Sequence, residues 1–263
     1  GGEIQLTDAM AKLIGTQPFH GFRFDGDRYD CGDKAGYIQA NLALALERAA
    51  AVIRGAQRPL IVAGGGVIYS EASAALDRFA RETGIPVADT QAGKGALSWD
   101  HPNAVGGVGS TGTPVANRLA RDADVIIGVG TRYSDFTTAS RTAFQHPGVR
   151  FVNLNVAAFD AAKESALPIV ADARSGLDAL REALAGRSWD TGYRAEVDAW
   201  QSAVDAAYRM NHGPLPSQAE VIGVVNDACG ERDVVVQAAG SMPGDLQLLW
   251  RARDPKQYHV EYG

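Results

Sequence analysis

Residues 58–89, RPLIVAGGGVIYSEASAALDRFARETGIPVAD, decide the fold. Leu60-Ile61-Val62-Ala63 is an apolar run of strand length, suited to a strand buried on both faces. Gly64-Gly65-Gly66 reads as the turn that follows it. Ser70-Glu71 is expected to cap a helix in which Ala74, Ala75, Leu76 and Phe79 supply much of the apolar surface. Gly84 stands where that helix should stop, and Ile85-Pro86-Val87-Ala88 starts a second strand. Strand, crossover helix and strand in this order form one parallel unit.

The alternation continues downstream. A loop carries Gln91-Ala92-Gly93-Lys94-Gly95 and then Trp99-Asp100-His101-Pro102. Pro114 to Arg121 reads as a helix with proline at its start. Val125–Val129, Phe151–Leu154 and Ile169-Val170 read as strands, and Ser175–Leu184 as a helix. The class is therefore α/β, a doubly wound parallel sheet with ligand crevices at the strand carboxyl ends. Beyond Gly186 the character changes. Trp189 to Met210 is a polar amphipathic connector carrying Tyr193, Val197, Trp200, Val204 and Tyr208, and residues 211–216 form a linker. Ser217-Gln218 should cap a helix that runs through Ala228, and Asp233–Gln237 should be a strand. Its carboxyl end opens on residues 238–245, AAGSMPGD, before a helix bearing Leu246, Leu249 and Trp250. A glycine- and serine-bearing turn at that place is where a doubly wound domain receives a phosphate.

Upstream, Ile4, Leu6, Ala9, Met10 and Leu13 stand near helical spacing, with Thr7 and Asp8 as candidate caps. Phe22, Phe24 and the turn Asp25-Gly26-Asp27 predict a short hairpin, and residues 31–34 a loop. From Ala35 to about Gly55 a helix is expected, with Ile38, Leu42, Ala45, Leu46, Ala49, Val52 and Ile53 on one face and Arg58-Pro59 beyond its end.

The 263 residues, 46% hydrophobic and 21% charged, suffice for one large domain or two modest ones. A net charge of −6 argues against a nucleic-acid surface, which needs a basic stripe. No apolar run approaches the roughly 18 residues of a membrane span. Cys31 and Cys229 are far apart with no CxxC spacing, as expected of idle thiols in a reducing cytoplasm. A cytoplasmic protein acting on a small molecule is the expectation.

Gly107-Val-Gly109-Ser-Thr-Gly112, followed by a helix start at Pro114, has the GxGxxG spelling. A nicotinamide or flavin site and a tight structural turn both stay open. The turn is favoured because no convincing hydrophobic strand leads into Gly107. The strand after the helix also ends in Gly130-Thr131-Arg132, without an acid for a ribose. Lys94 as a Schiff-base lysine, His101 as a general base, and Asp254 with Glu261 as an acid–base pair each lack a readable partner.

Two resemblances divide the chain near Glu47. The blocks EIQLTDA and YDCGDK, within residues 1–47, resemble the C-terminal part of bacterial UTP–glucose-1-phosphate uridylyltransferases. That resemblance implies a place for Asp30 near Mg²⁺ and for Glu3 near the sugar, although a lone carboxylate is not a metal site. The blocks RPLIVAGGGVIYSEA, DTQAGKGALSWDHP, GTRYSDFTT and QAAGSMPGDLQLLWR resemble the thiamine-diphosphate-dependent 3D-(3,5/4)-trihydroxycyclohexane-1,2-dione hydrolases of inositol catabolism. This implies a middle domain over 48–190, a helical connector and linker over 191–211, and the start of a diphosphate-binding domain over 212–263. It also implies ring-opening C–C hydrolysis with thiamine diphosphate and Mg²⁺, and a homo-oligomer when complete. Gly240 and Ser241, with Pro243 and Gly244, would lie near the cofactor diphosphate, and Gly263 would begin the segment facing the aminopyrimidine. The metal-binding element and the activating glutamate of that family are not matched, so a chimeric fragment without hydrolase activity of its own is expected, and no catalytic residue is assigned. The alternatives are a non-catalytic nucleotide-binding or scaffold α/β domain and, third, a sugar-nucleotide uridylyltransferase fragment.

Overall fold

A computed structural model of the chain describes residues 6–23, 25–238 and 240–261. Glu3, Phe24, Ala239, Tyr262 and Gly263 lie outside the described residues. Two compact units are present, 1–40 and 41–263.

In the first unit, helix α1 (Leu6–Leu13) buries none of its residues. The predicted hairpin does not form, since no strand is found among the described residues of 18–33. The physical reason is compositional. Residues 25–31, DGDRYDC, offer no alternating apolar partner for Phe22, which is 90% exposed. Asp30 closes a local turn by accepting the Gly32 N–H at 2.9 Å. Asp33 accepts the N–H groups of Ala35 at 2.7 Å and Gly36 at 3.0 Å, which starts helix α2 (Lys34–Arg54). The helix is continuous through the point where the two resemblances meet. Along it Ile38 is exposed, contrary to expectation, whereas Ala49, Ala50, Val52 and Ile53 are buried.

The second unit holds a six-stranded sheet. In chain order its elements are β1 (Pro59–Ala63), α3 (Gly65–Tyr69), α4 (Ser73–Thr83), β2 (Val87–Asp89), β3 (Ala104–Gly107), α5 (Pro114–Asp122), β4 (Val125–Val129), α6 (Asp135–Thr138), β5 (Arg150–Asn155), α7 (Ala158–Ala161), β6 (Leu167–Val170) and α8 (Ala173–Ala183). The strand order is β3-β2-β1-β4-β5-β6, and every pairing is parallel. This is the doubly wound order, with its switch point between β1 and β4.

Strand alternation sorts the core onto two faces. Ile61, Ala63, Ile127, Val129 and Leu154 pack with residues of α2, α4 and α8, around the fully buried Phe79. Leu60, Val62, Ala88 and Ile126 pack on the opposite face with Val115, Ala116 and Leu119 of α5. Local chemistry fixes the helix ends. The Thr113 side chain accepts the Ala116 N–H, with Pro114 in the first turn, and Asp172 accepts the N–H groups of Arg174 and Ser175. Gly84 ends α4 in the left-handed region.

Two expectations are corrected. Ser70 does not cap α4; it ends the one-turn helix α3, Glu71 takes a φ of +49°, and α4 starts at Ser73 after Ala72. A strand does lead into Gly107. β3 has only Val105 as a β-former, and its pairing with β2 shifts register between Val87 and Ala88, so its formation depends on its neighbour rather than on its own pattern.

The connector forms α9 (Arg194–Ala207), shorter than the predicted span. Trp189 lies in the core of the sheet and donates its indole N–H to the Ala56 carbonyl at 2.9 Å. After it come α10 (Gln218–Ala228), β7 (Val235–Gln237), α11 (Met242–Leu249) and β8 (Tyr258–Val260). β7 and β8 pair in parallel around a small core of Ile222, Leu246, Trp250, Ala252 and Tyr258. β8 is an element the sequence pattern did not indicate.

Candidate functional site

The switch point of the sheet is closed by its own backbone. The Gly64 N–H donates to the Val129 carbonyl at 2.8 Å, and the Gly66 N–H donates to the Gly130 carbonyl at 3.0 Å. A methyl group added at Gly66 would fall 2.6 Å from the Gly130 Cα. No room remains there for a phosphate at the start of α3.

The GxGxxG loop is likewise occupied from within. The Gly109 N–H donates to Asn117 Oδ1 at 2.8 Å, and Asn117 Nδ2 returns a bond to the Gly109 carbonyl at 2.9 Å. The Val108, Ser110, Gly112 and Thr113 N–H groups donate to the carbonyls of Asp89, Phe136, Gly109 and Gly107. Gly109 has a φ of +107°, and a methyl group on it would lie 2.0 Å from the Phe136 carbonyl oxygen. Amides committed to internal acceptors cannot cradle an anion, so the tight-turn alternative accounts for these glycines.

The solitary ionisable groups separate in the same way. Buried His101 places Nε2 3.0 Å from Asp77 Oδ1, while its Nδ1 accepts the Asn103 N–H at 3.1 Å. Nε2 therefore faces Asp77 of α4, while Nδ1 is used within its own loop. Asp254 accepts the Lys256 N–H at 2.8 Å, and Glu261 lies 2.9 Å from His259 Nε2, so each carboxylate is engaged with a near neighbour in the chain. Cys31 is exposed and Cys229 half-buried, both as free thiols. Among the described residues no group of three or more His, Cys, Asp or Glu could hold a metal, Asp30 included.

Lys94 is the exception. Its Nζ is buried and donates to the Gln247 carbonyl at 2.8 Å. A cavity of about 40 Å³ is lined by Lys94, Asp89, Trp99, Trp200 and Trp250. Asp89 Oδ1 is sealed from solvent and meets no donor among the described residues. Burial pushes the Asp89 carboxyl above its ordinary value and the Lys94 ammonium below its own, while the opposite charge of each pulls the other part of the way back.

The turn between β7 and α11 stands at the carboxyl end of a parallel strand and the start of an eight-residue helix. Gly240 has a φ of +138°, and the nearest atom to a methyl group placed there is Pro243 Cδ at 4.0 Å. Gly240 and Ser241 are exposed, and Ser241 spends no side-chain bond on capping α11. Pro243 and Gly244 face inward. The Pro243 carbonyl accepts from Gln91 Nε2 at 2.9 Å, and a methyl group on Gly244 would come within 2.8 Å of Thr111 Cγ2.

Residues 46–180 match the family described as thiamine pyrophosphate enzyme, central domain. The chain belongs to that family. Among curated proteins it is 38% identical, over 86% of its length, to the 3D-(3,5/4)-trihydroxycyclohexane-1,2-dione hydrolase of Bacillus cereus (strain AH820). The same holds for that of Bacillus anthracis (strain CDC 684 / NRRL 3495), and identity is 37% for that of Bacillus thuringiensis (strain Al Hakam). The chain spans 39% of the length of these relatives. For a thiamine pyrophosphate enzyme, the residues present fit one part of the cofactor. An open glycine next to an uncapped helix start suits a diphosphate. The described residues do not fit its Mg²⁺, because no carboxylate cluster stands near the turn and Asp245 is held by Gln218.

The sequence did not point to the polar cluster behind this turn. Tyr258 OH donates to Gln91 Oε1 at 2.7 Å, and Gln237 Nε2 donates to the same oxygen at 3.2 Å. These partners are some 150 residues apart along the chain, beyond the reach of any local pattern.

Proposed function

We propose that this chain supplies the middle domain and the start of the diphosphate-binding domain of a thiamine-diphosphate-dependent C–C hydrolase that opens the ring of a trihydroxycyclohexanedione. The observation that carries this reading is identity of 38% over 86% of the chain with hydrolases named for that substrate. Thiamine diphosphate, when bound, supplies a nucleophilic carbon and an electron sink for the breaking C–C bond. The part of this chain is to bind and orient. Gly240 lets the backbone approach the diphosphate, Ser241 offers its hydroxyl and the α11 helix start, and Pro243 and Gly244 fix the turn from behind. The described residues assemble no group of carboxylates, histidines or cysteines that could hold a metal. A homo-oligomer and a small polar substrate complete the reading; the net charge of −6 argues against a nucleic-acid surface. Among the described residues no helix is long and apolar enough to cross a membrane.

Titration of the chain with thiamine diphosphate in millimolar Mg²⁺, followed by tryptophan emission, tests this reading. Trp250 caps the small core beside α11, so saturable quenching that is lost in Gly240→Val is the expected result. Quenching by ADP to the same extent, or none by either ligand, would reject the assignment of the turn.

A further inference from the structure

The loop that follows β2 grips both ends of the helix that frames the proposed diphosphate turn. Gln91 donates to the Pro243 carbonyl in the first turn of α11, and Lys94 donates to the Gln247 carbonyl one turn later. Between them the Thr111 hydroxyl donates to Gln247 Oε1, and Gly244 rests on the Thr111 methyl. Gln91 also accepts from Tyr258 of β8 and Gln237 of β7. One short loop therefore touches α11, β7 and β8.

The choice of a lysine needs a reason. Burying an ammonium at 6% exposure is costly, and a methionine would fill the same channel without that penalty. What methionine could not do is donate to a carbonyl in the last turn of α11, at the negative end of the helix. Asp89, five residues earlier, lines the same cavity, and its charge opposes, in part, the effect of burial on the Lys94 ammonium.

We propose that Lys94, assisted by Gln91 and balanced by Asp89, is a positioning residue that sets where the Gly240–Gly244 turn stands on the central domain. Its relevance to cofactor binding rests on the reading of that turn as the diphosphate site. The pair Asp89→Asn with Lys94→Met, made together, removes both charges and leaves the packing volume nearly unchanged. Amide exchange in α11 and β7 is expected to accelerate roughly ten- to a hundredfold, with β1 and β4 protected as before. The apparent Kd for thiamine diphosphate, read by tryptophan emission in Mg²⁺, is expected to rise about tenfold or more. Exchange in α11 like that of the parent overturns the proposal, and so does faster exchange with unchanged affinity. If the parent itself binds no thiamine diphosphate, the functional reading fails, and the exchange comparison alone still decides the positioning role. Should the double variant not fold, Gln91→Ala leaves both charges in place and probes the other end of the grip. Its α11 amides are expected to exchange roughly three- to tenfold faster, and no change would overturn the proposal.

Discussion

At the scale of single residues, two positions carry consequences for stability that a motif search would assign to ligand chemistry. Gly109 looks like part of a phosphate loop, yet its left-handed backbone and the Phe136 carbonyl behind it are structural demands. Gly109→Ala is expected to cost about 2–4 kcal/mol in urea unfolding, from strain plus overpacking. His101 looks like a base, yet its imidazole is held below the usual value, mainly by burial and next by the Arg81 charge, with Asp77 opposing both. The unfolded chain therefore binds a proton near the ordinary value of about 6.5 while the folded chain resists it. Stability is full above that pH and falls as the pH drops below it. The variant His101→Asn is expected to be less stable at neutral pH but to lose less on acidification, as urea midpoints across a pH series would reveal.

Among elements, α10 offers the cleanest local test. Ser217 accepts the Glu220 N–H at 3.2 Å while the Glu220 carboxylate accepts the Ser217 N–H at 2.7 Å. Ser217→Ala should lower stability by about 1 kcal/mol, with the loss of exchange protection confined to the first turn of α10. This cap was readable in the sequence, as were β1, β4, β5 and α5, because each depends on a run of a few neighbours. β3 was not readable, since Ala104-Val105-Gly106-Gly107 is made a strand by Asp89 and Val87 beside it. The hairpin near Phe22 failed for the converse reason: an alternating pair without a partner strand has nothing to bury against. In the candidate site, Gly240 and Ser241 are exposed. The inward duties of Pro243 and Gly244 depend on Gln91 and Thr111, which are distant in sequence and leave no periodic trace.

For the molecule as a whole, the surface of the C-terminal segment is the feature with a measurable outcome. Val224, Val234, Val236 and Met242 are exposed there, near a groove of about 410 Å³ lined by Val221, Val225 and Leu246. A two-stranded sheet with apolar side chains outward invites pairing with other chains. Concentration-dependent association is expected in sedimentation experiments, and Val236→Lys, on β7, is expected to weaken it without changing the unfolding midpoint of the six-stranded sheet.

The strand order has a further consequence, for the order of events during synthesis. β1 lies between β2 and β4, and β4 is followed in the sheet by β5 and β6. β2 can join β1 soon after both leave the ribosome, but the other edge of β1 must wait for α5 and then Val125–Val129. At about 5–20 residues per second that wait lasts seconds, far longer than local helices need to form. Throughout it the nascent chain displays Leu60-Ile61-Val62-Ala63 with one hydrogen-bonding edge bare, so a strand that is buried at every position in the finished protein is open to chaperones while it is being made.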